Sequence, residues 1–488
     1  MLPRLIQGGM GIGVSGWPLA REVSLLGQLG VVSGTALDSV FVRRLAGDDP
    51  GGHLRRAIAA FPIPDIARRV LARYVRPGAA ADASTEISKS RYRLLPLLAA
   101  KVSAERNWLL VLANFVEVYL AKEGHSGVVG INYLRKLQLP LLPSLYGAML
   151  AGVDVVLMGA GIPGEVPALL DRLSEHADVR MGVDGLDTVE GVSNEALQFS
   201  PGSLWQEQPL AERPVLRRPR FLAIVASATL ARSLLKRAPG GIDGFVIEEA
   251  ISGGHNAPPR GPQQLTAEGE PIYGTRDVVD LSLFREMGVP FWLAGGYASR
   301  EKVDAAIAAG ARGVQVGTAF AFCEESGLEA SLRKRFLQSV LRGQGHVFTD
   351  PAASPTSFPF KVASVEGTLS DEAVFAQRPR LCDLGYLRTA YRKADGSVGY
   401  RCPAEPVDDY VHKGGKASDT VGRKCLCNGL MANVGLGQRR GGILGGGGYQ
   451  EPPLLTAGSD FGFLRQYITP ANLSYHARDV IASLLPAT

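Results

Sequence analysis

Through the first 330 residues, short apolar and β-branched runs alternate with longer stretches whose apolar residues recur at helical spacing. The short runs lie near Leu5–Gln7, Gly30–Val32, Val129–Asn132, Val153–Leu157, Phe221–Val225, Gly244–Ile247, Pro290–Ala294 and Gly313–Val316. Helical patterns read clearly over Pro143–Ala151, Gly164–Glu175, Thr229–Arg237 and Ser299–Ala309. Gly310 stops the last of these, as suits a C-cap with positive φ. Alternation of strand and helix predicts parallel β-α units, because a parallel pair needs a crossover. Eight units predict closure into a (β/α)8 TIM barrel, with an open doubly wound sheet as the competing topology.

Three interruptions stand out. The stretch Ile87–Glu123 is helical in pattern and is expected as an inserted element above the barrel, over about residues 85–125 and before strand three. A second insertion, Val179–Arg220, carries a hairpin pattern and the Pro-Arg-rich run Arg213–Arg220. A third long loop, Asn256–Asp277, follows strand six. The barrel is expected to end near Glu325, giving a barrel domain over 1–330 and a C-terminal extension over 331–488. The extension holds a helical pattern at Leu328–Leu341 and the Pro-rich run Asp350–Phe360. That run cannot continue a helix and reads either as a flap over the barrel mouth or as a connector. Gly441–Gly448, with four consecutive glycines, reads as a mobile connection.

Composition narrows the class. A chain that is 46% hydrophobic and 20% charged is globular rather than disordered. The net charge of +5 is spread over scattered pairs such as Arg55–Arg56 and Arg217–Arg218, which argues against a nucleic-acid partner. No unbroken apolar run approaches the ~18 residues of a membrane span, and no signal-peptide pattern is read. A cytoplasmic protein without a membrane partner is therefore expected. Five cysteines in such a chain predict reduced thiols or a metal site rather than a disulfide framework.

The placement of glycines carries the chemistry. Gly8-Gly9-Met10-Gly11 follows strand one, Gly253-Gly254-His255 strand six, Gly295-Gly296 strand seven and Gly317-Thr318 strand eight. In a barrel all four lie at the C-terminal mouth, and the loops after strands seven and eight commonly hold a phosphate there. A phosphate needs backbone N–H donors at about 3 Å, and a Cβ blocks that approach.

Gln7-Gly-Gly-Met-Gly11, Ser252-Gly-Gly-His255, Leu293-Ala-Gly-Gly296 and Val314-Gln-Val-Gly-Thr-Ala-Phe320 together resemble the motifs of the nitronate monooxygenase (2-nitropropane dioxygenase)-like superfamily. The long insertion and extension resemble the subgroup near the trans-acting enoyl reductases of polyketide and polyunsaturated fatty acid synthesis. The resemblance implies an FMN-dependent oxidoreductase. FMN would lie across the mouth with its ring by Met10, Asn132 and the flanking backbone. Gly9, Gly11, Gly253, Gly254, Gly295, Gly296, Gln315, Gly317 and Thr318 complete the implied cofactor set. The activity implied first is oxidation of a small carbon acid such as a nitronate. The other is NAD(P)H-dependent reduction of an enoyl thioester presented by an acyl carrier protein. A homodimer is compatible with either.

His255 is the catalytic candidate, since imidazole moves protons near neutral pH. Some nitronate monooxygenases place a second histidine after strand four, where this chain has Met158-Gly-Ala-Gly-Ile-Pro163. His125 precedes strand three and is expected in a surface or capping role. Glu117 is expected as a solvated carboxylate. Cys382, Cys402, Cys425 and Cys427 suit a zinc or iron–sulfur site by number, although their spacing lacks the paired C-x-x-C form. Cys323 reads as a packed core thiol.

Overall fold

A computed structural model describes residues 2–47, 49–74, 92–184, 186, 196–205, 209–441 and 448–486. Its centre is an eight-stranded parallel sheet. The strands are β1 (Leu5–Gln7), β2 (Gly30–Ser33), β3 (Val129–Leu134), β4 (Val155–Gly159), β5 (Arg220–Val225), β6 (Gly244–Glu248), β7 (Phe291–Ala294) and β8 (Gly313–Val316). From β2 onward each pairs in parallel with the next, and β1 pairs with β8. A parallel bridge between Ile6 and Leu29 joins β1 to the start of β2, with Gln7 N donating to Leu29 O at 3.0 Å. The sheet therefore closes into a barrel.

Alternation along the strands sorts two apolar layers. Ile6, Val31, Val155, Leu157, Leu222, Val246 and Trp292 form one cluster. Their sequence neighbours Leu5, Val32, Val156, Phe221, Phe245 and Phe291 join the larger cluster that includes the surrounding helices. Both strand faces are buried, as a helix-covered parallel barrel requires. Gly313 shows how tightly the strands meet the segments beside them: a Cβ there would sit 1.7 Å from Arg4 O.

The expected helices form at Leu141–Leu150, Val166–Ser174, Ala228–Arg237, Arg300–Ala308 and Ala330–Leu341. β4 runs two residues later than the apolar pattern indicates, because its ladder with β3 continues to Leu134 opposite Gly159. The hairpin in the second insertion pairs Val179–Gly182 with Ala196–Phe199.

The insertion before β3 needs correction. Its described helix, Ala104–Lys122, does not stand above the barrel. It packs against β2, β3 and the helices Trp17–Leu25, Leu37–Ala46 and Leu141–Leu150, with Leu109 to Ala113 all buried. A helix apolar on every side has to be enclosed. Glu117 on that helix is likewise not solvated: it is 4% exposed, accepts from Trp17 N at 2.7 Å and pairs with Arg44 at 3.1 Å.

The segment after residue 330 shares the barrel's core. Phe336 stacks on Phe322 at 4.6 Å, and helix Ala477–Leu484 packs on Trp17–Leu25 and Arg300–Ala308. Leu426, Met431 and Leu454 cluster with Ile12, Val40 and Leu110 from the barrel's own loops and helices. The glycine run Gly441–Gly448 falls largely outside the described residues. Among the described residues, no helix is long and apolar enough to cross a membrane.

Candidate functional site

A cavity of about 520 Å3 opens at the C-terminal ends of the strands. It falls within the range of small-molecule and cofactor sites, about 300–1,000 Å3. Every residue of the implied cofactor set lines it, as does His255.

The β1 loop is fixed from beneath. Gln7 bonds Ser15 Oγ at 2.9 Å and receives Val31 N at 2.9 Å, and Ser15 Oγ receives Met10 N at 2.9 Å. Gly9 is obligatory, since a Cβ would fall 2.4 Å from Asn132 Cβ. Asn132 Nδ2 donates to Gly9 O at 3.2 Å. Asn132 Oδ1 is buried without a partner, and so are Gln315 Oε1 and Ser252 Oγ. Asn256 Oδ1 and Asn433 Oδ1, on two further lining residues, are orphaned as well. Such atoms are rare in folded proteins, and five on residues lining one cavity fit a polar ligand with N–H or O–H groups.

On the opposite side, the amides of Gly295, Gly296, Gly317 and Thr318 donate to no described backbone or side-chain acceptor. Gly295 and Gly296 take φ of 101° and 75°, the left-handed region where glycine is at ease. These bare amides suit a phosphate. Gly254 does not belong with them: its N–H is taken by Thr456 Oγ1 at 2.9 Å, which removes it from the expected donor set. Thr318 Oγ1 receives Gly458 N at 2.9 Å and keeps its own hydrogen to donate. The Thr456–Gly458 segment of the extension thus builds part of the wall.

The Pro-rich run is a flap rather than a connector. Asn256 N donates to Pro359 O and Lys361 N to Gly254 O, both at 2.9 Å, so the run pairs with the glycine–histidine loop. Phe358 and Phe360 line the cavity, and the His255 ring meets Phe360 edge-on at 4.9 Å. His255 Nε2 bonds Ser354 Oγ at 2.8 Å. Burial, reinforced by Lys136, holds His255 well below the usual histidine range. Its imidazole is therefore neutral at pH 7.

Two titratable groups at this mouth escaped the sequence reading. Glu248 closes β6, lines the cavity and is pushed up to about 7 by burial, with Lys136 opposing. Lys136, just past β3, is pushed down to about 7 by burial, with Glu248 opposing. Its Nζ lies 4.9 Å from the Phe358 ring centroid. An acidic residue ending an otherwise apolar strand at the mouth is the one signal that was available for Glu248.

The expected metal site does not form. Cys382, Cys402, Cys425 and Cys427 are free thiols, and no group of three or more His, Cys, Asp or Glu among the described residues is placed to hold a metal. Burial pushes all four thiols up, and at Cys402, Cys425 and Cys427 the neighbouring cysteines add to it. Cys323 is packed at 0% exposure as expected. His125 caps its own helix, with Nε2 2.7 Å from Ala121 O.

A family model described as nitronate monooxygenase matches residues 216–345, the span from β5 past β8. The similarity therefore lies in the second half of the barrel. Among curated relatives, the (3aS,4S,5R,7aS)-5-hydroxy-7a-methyl-1-oxo-octahydro-1H-indene-4-carboxyl-CoA dehydrogenase of Mycobacterium tuberculosis is 25% identical over 186 residues, 37% of this chain and 48% of that one. A probable nitronate monooxygenase of Staphylococcus saprophyticus is 28% identical over 157 residues, 32% of this chain and 41% of that one. The chain thus spans about half or less of these relatives. A solved enoyl reductase domain of MlnA, from the macrolactin biosynthesis cluster of Bacillus amyloliquefaciens, covers 98% of this chain and 92% of its own. It has a TM-score of 0.45 and 12% identity.

Proposed function

We propose that this chain is an FMN-dependent oxidoreductase that oxidises a small carbon acid, a nitroalkane taken through its nitronate. The observation that carries the reading is the pairing of two features across one cavity: bare amides at Gly295, Gly296 and Thr318, and a neutral imidazole at His255. FMN, when bound, supplies a two-electron acceptor. The β7 and β8 loops would hold its phosphate, and the orphaned oxygens of Asn132 and Gln315 would accept from the ring's N–H and from its ribityl hydroxyls.

The chain's own residues then manage the substrate and its proton. Nδ1 of His255 has no hydrogen bond to a described residue, because Ser354 engages only Nε2. A neutral imidazole can take a proton from the carbon next to the nitro group, breaking the C–H bond. Phe358 and Phe360 on the flap keep water from that step. Small substrates are favoured because the same cavity must also hold the cofactor.

The nitronate monooxygenase match favours this reading over enoyl-thioester reduction. NAD(P)H, an acyl carrier protein and a homodimer gain no specific support from the site. The deciding experiment loads the protein with FMN and follows oxygen uptake with an alkyl nitronate and with the parent nitroalkane, whose C–H bond still needs a base. Uptake that disappears in His255→Ala with the nitroalkane but survives with the preformed nitronate is expected. FMN-loaded protein that consumes no oxygen with any nitronate, yet is reduced anaerobically by NADPH, would overturn the reading.

A further inference from the structure

We propose that Ser354, Thr356 and Lys136 form a proton relay that drains His255, carrying a proton from its Nε2 to the Lys136 amine. The inference rests on the reading of His255 as the base, and it names where the abstracted proton goes.

The connection is continuous. His255 Nε2 lies 2.8 Å from Ser354 Oγ, Ser354 Oγ lies 2.8 Å from Thr356 Oγ1, and Lys136 Nζ lies 3.4 Å from Thr356 Oγ1. Each end is held by backbone. Lys136 N bonds Ala160 O at 3.2 Å and Arg135 N bonds Gly159 O at 2.9 Å, which ties the lysine loop to the end of β4. The flap begins on Asp350, whose Oδ1 receives Ala352 N and Ala353 N at 2.8 and 2.9 Å. Arg423 holds its outer side through Ala352 O at 2.9 Å and through Ser354 O. A plain connector would have no need of two hydroxyls in line between an imidazole and an amine.

Hydrogen-bond polarity makes this chain a switch. An ammonium only donates. With Lys136 charged, Thr356 accepts from it and donates to Ser354, which donates to Nε2; His255 then carries its proton on Nδ1. With Lys136 neutral, its lone pair is free to accept, and when it accepts from Thr356 every bond reverses. Nε2 becomes the N–H and Nδ1 is bare, the state a base requires. When Nδ1 takes the substrate proton, the Nε2–H bond breaks and one proton moves to Ser354. Ser354 passes its own proton to Thr356, and Thr356 passes its own to Lys136. The hydroxyls end neutral and the amine ends as an ammonium, so one proton has crossed.

Burial of Lys136 supplies the neutral amine near pH 7. The charged groups around the relay are Glu248 at the end of β6, Asp350 and Lys361 at the two ends of the flap, and Arg423 behind it. Among the described residues none of them bonds to the two relay hydroxyls, and Glu248 acts on the relay through its attraction for the Lys136 charge.

The test reads the tautomer of His255 by 15N NMR of histidine-labelled protein, with the signal assigned by its loss in His255→Gln. No cofactor or turnover is needed. In the wild type the neutral ring should pass from Nδ1–H to Nε2–H as pH rises through about 7. Lys136→Arg, charged throughout, should hold it as Nδ1–H. Thr356→Val should abolish the pH-dependent exchange, and Ser354→Ala serves as a second cut should Thr356→Val fail to fold. An exchange that persists in Lys136→Arg and in the cut variants, or is missing from the wild type, overturns the relay. If the exchange is present but FMN-loaded protein ignores nitronates, the proposed reaction fails while the relay stands.

Discussion

Asn132→Leu separates what the fold needs at the barrel mouth from what a cofactor needs. The asparagine makes one bond, Nδ2 to Gly9 O at 3.2 Å, and leaves Oδ1 buried without a partner. A net hydrogen bond contributes about 1 kcal/mol, and an unsatisfied buried acceptor costs about 1–3 kcal/mol. Leucine of similar shape relieves the Oδ1 penalty but strands Gly9 O at a similar cost, so the two offset and the flavin-free protein should change in stability by no more than about 1 kcal/mol in either direction. FMN affinity should behave differently. If Oδ1 receives an N–H of the ring, the variant strands that donor in a buried site at about 1–3 kcal/mol, a loss of roughly 5- to 150-fold in Kd. Urea melts of the flavin-free protein give the first quantity, and titration of flavin fluorescence gives the second. A variant that binds FMN as the wild type does would refute the assignment of Oδ1 to the cofactor. One that loses several kcal/mol without FMN would show that Asn132 holds the fold.

Gly9→Ala should lower stability by about 1–3 kcal/mol and weaken FMN binding, because its Cβ must displace Asn132 from 2.4 Å; thermal melts with and without FMN check both. Glu117→Ala should cost about 3 kcal/mol in urea, since it strands Arg44 and the Trp17 amide around a removed buried carboxylate. Glu248 offers a pH test. Its folded-state pKa of about 7 lies above the ordinary 4.5, so the native protein holds a proton the unfolded chain has released between these values, and stability falls as pH rises through that window. Glu248→Gln should flatten the fall between pH 4.5 and 7 in urea melts; an unchanged slope would mean the carboxyl titrates normally. Lys136 contributes the opposite slope. Its folded value of about 7 lies below the ordinary 10.5, so it adds stability as pH rises between the two, and Lys136→Met should remove that gain.

The barrel and its glycine loops were legible because both depend on local facts. A strand buried on two faces must be apolar along its length, and a loop that offers bare amides must be glycine wherever it occurs. The enclosed helix at Ala104–Lys122 was legible in principle. Its apolar residues run continuously from Leu109 to Ala113, which excludes an exposed face and makes Glu117 a buried carboxylate in need of partners. The cysteines mislead for the converse reason: four thiols in one region satisfy a count, while a metal demands converging geometry that spacing does not encode.

What no local pattern could reveal is the far wall of the site. His255 meets Ser354 across 99 residues, Gly254 meets Thr456 across 202, and Lys136 meets Thr356 across 220. Serine and threonine in a Pro-rich run look like turn formers, and a lysine after a strand looks like surface. Their chemistry begins only when the flap lies over the mouth and removes water from around the amine. The motif loops therefore supply what a flavin barrel has in general, a phosphate grip and an imidazole. The extension decides how that imidazole is protonated, and so chain-specific chemistry should be sought in residues 350–360 and 454–458 rather than in the glycines.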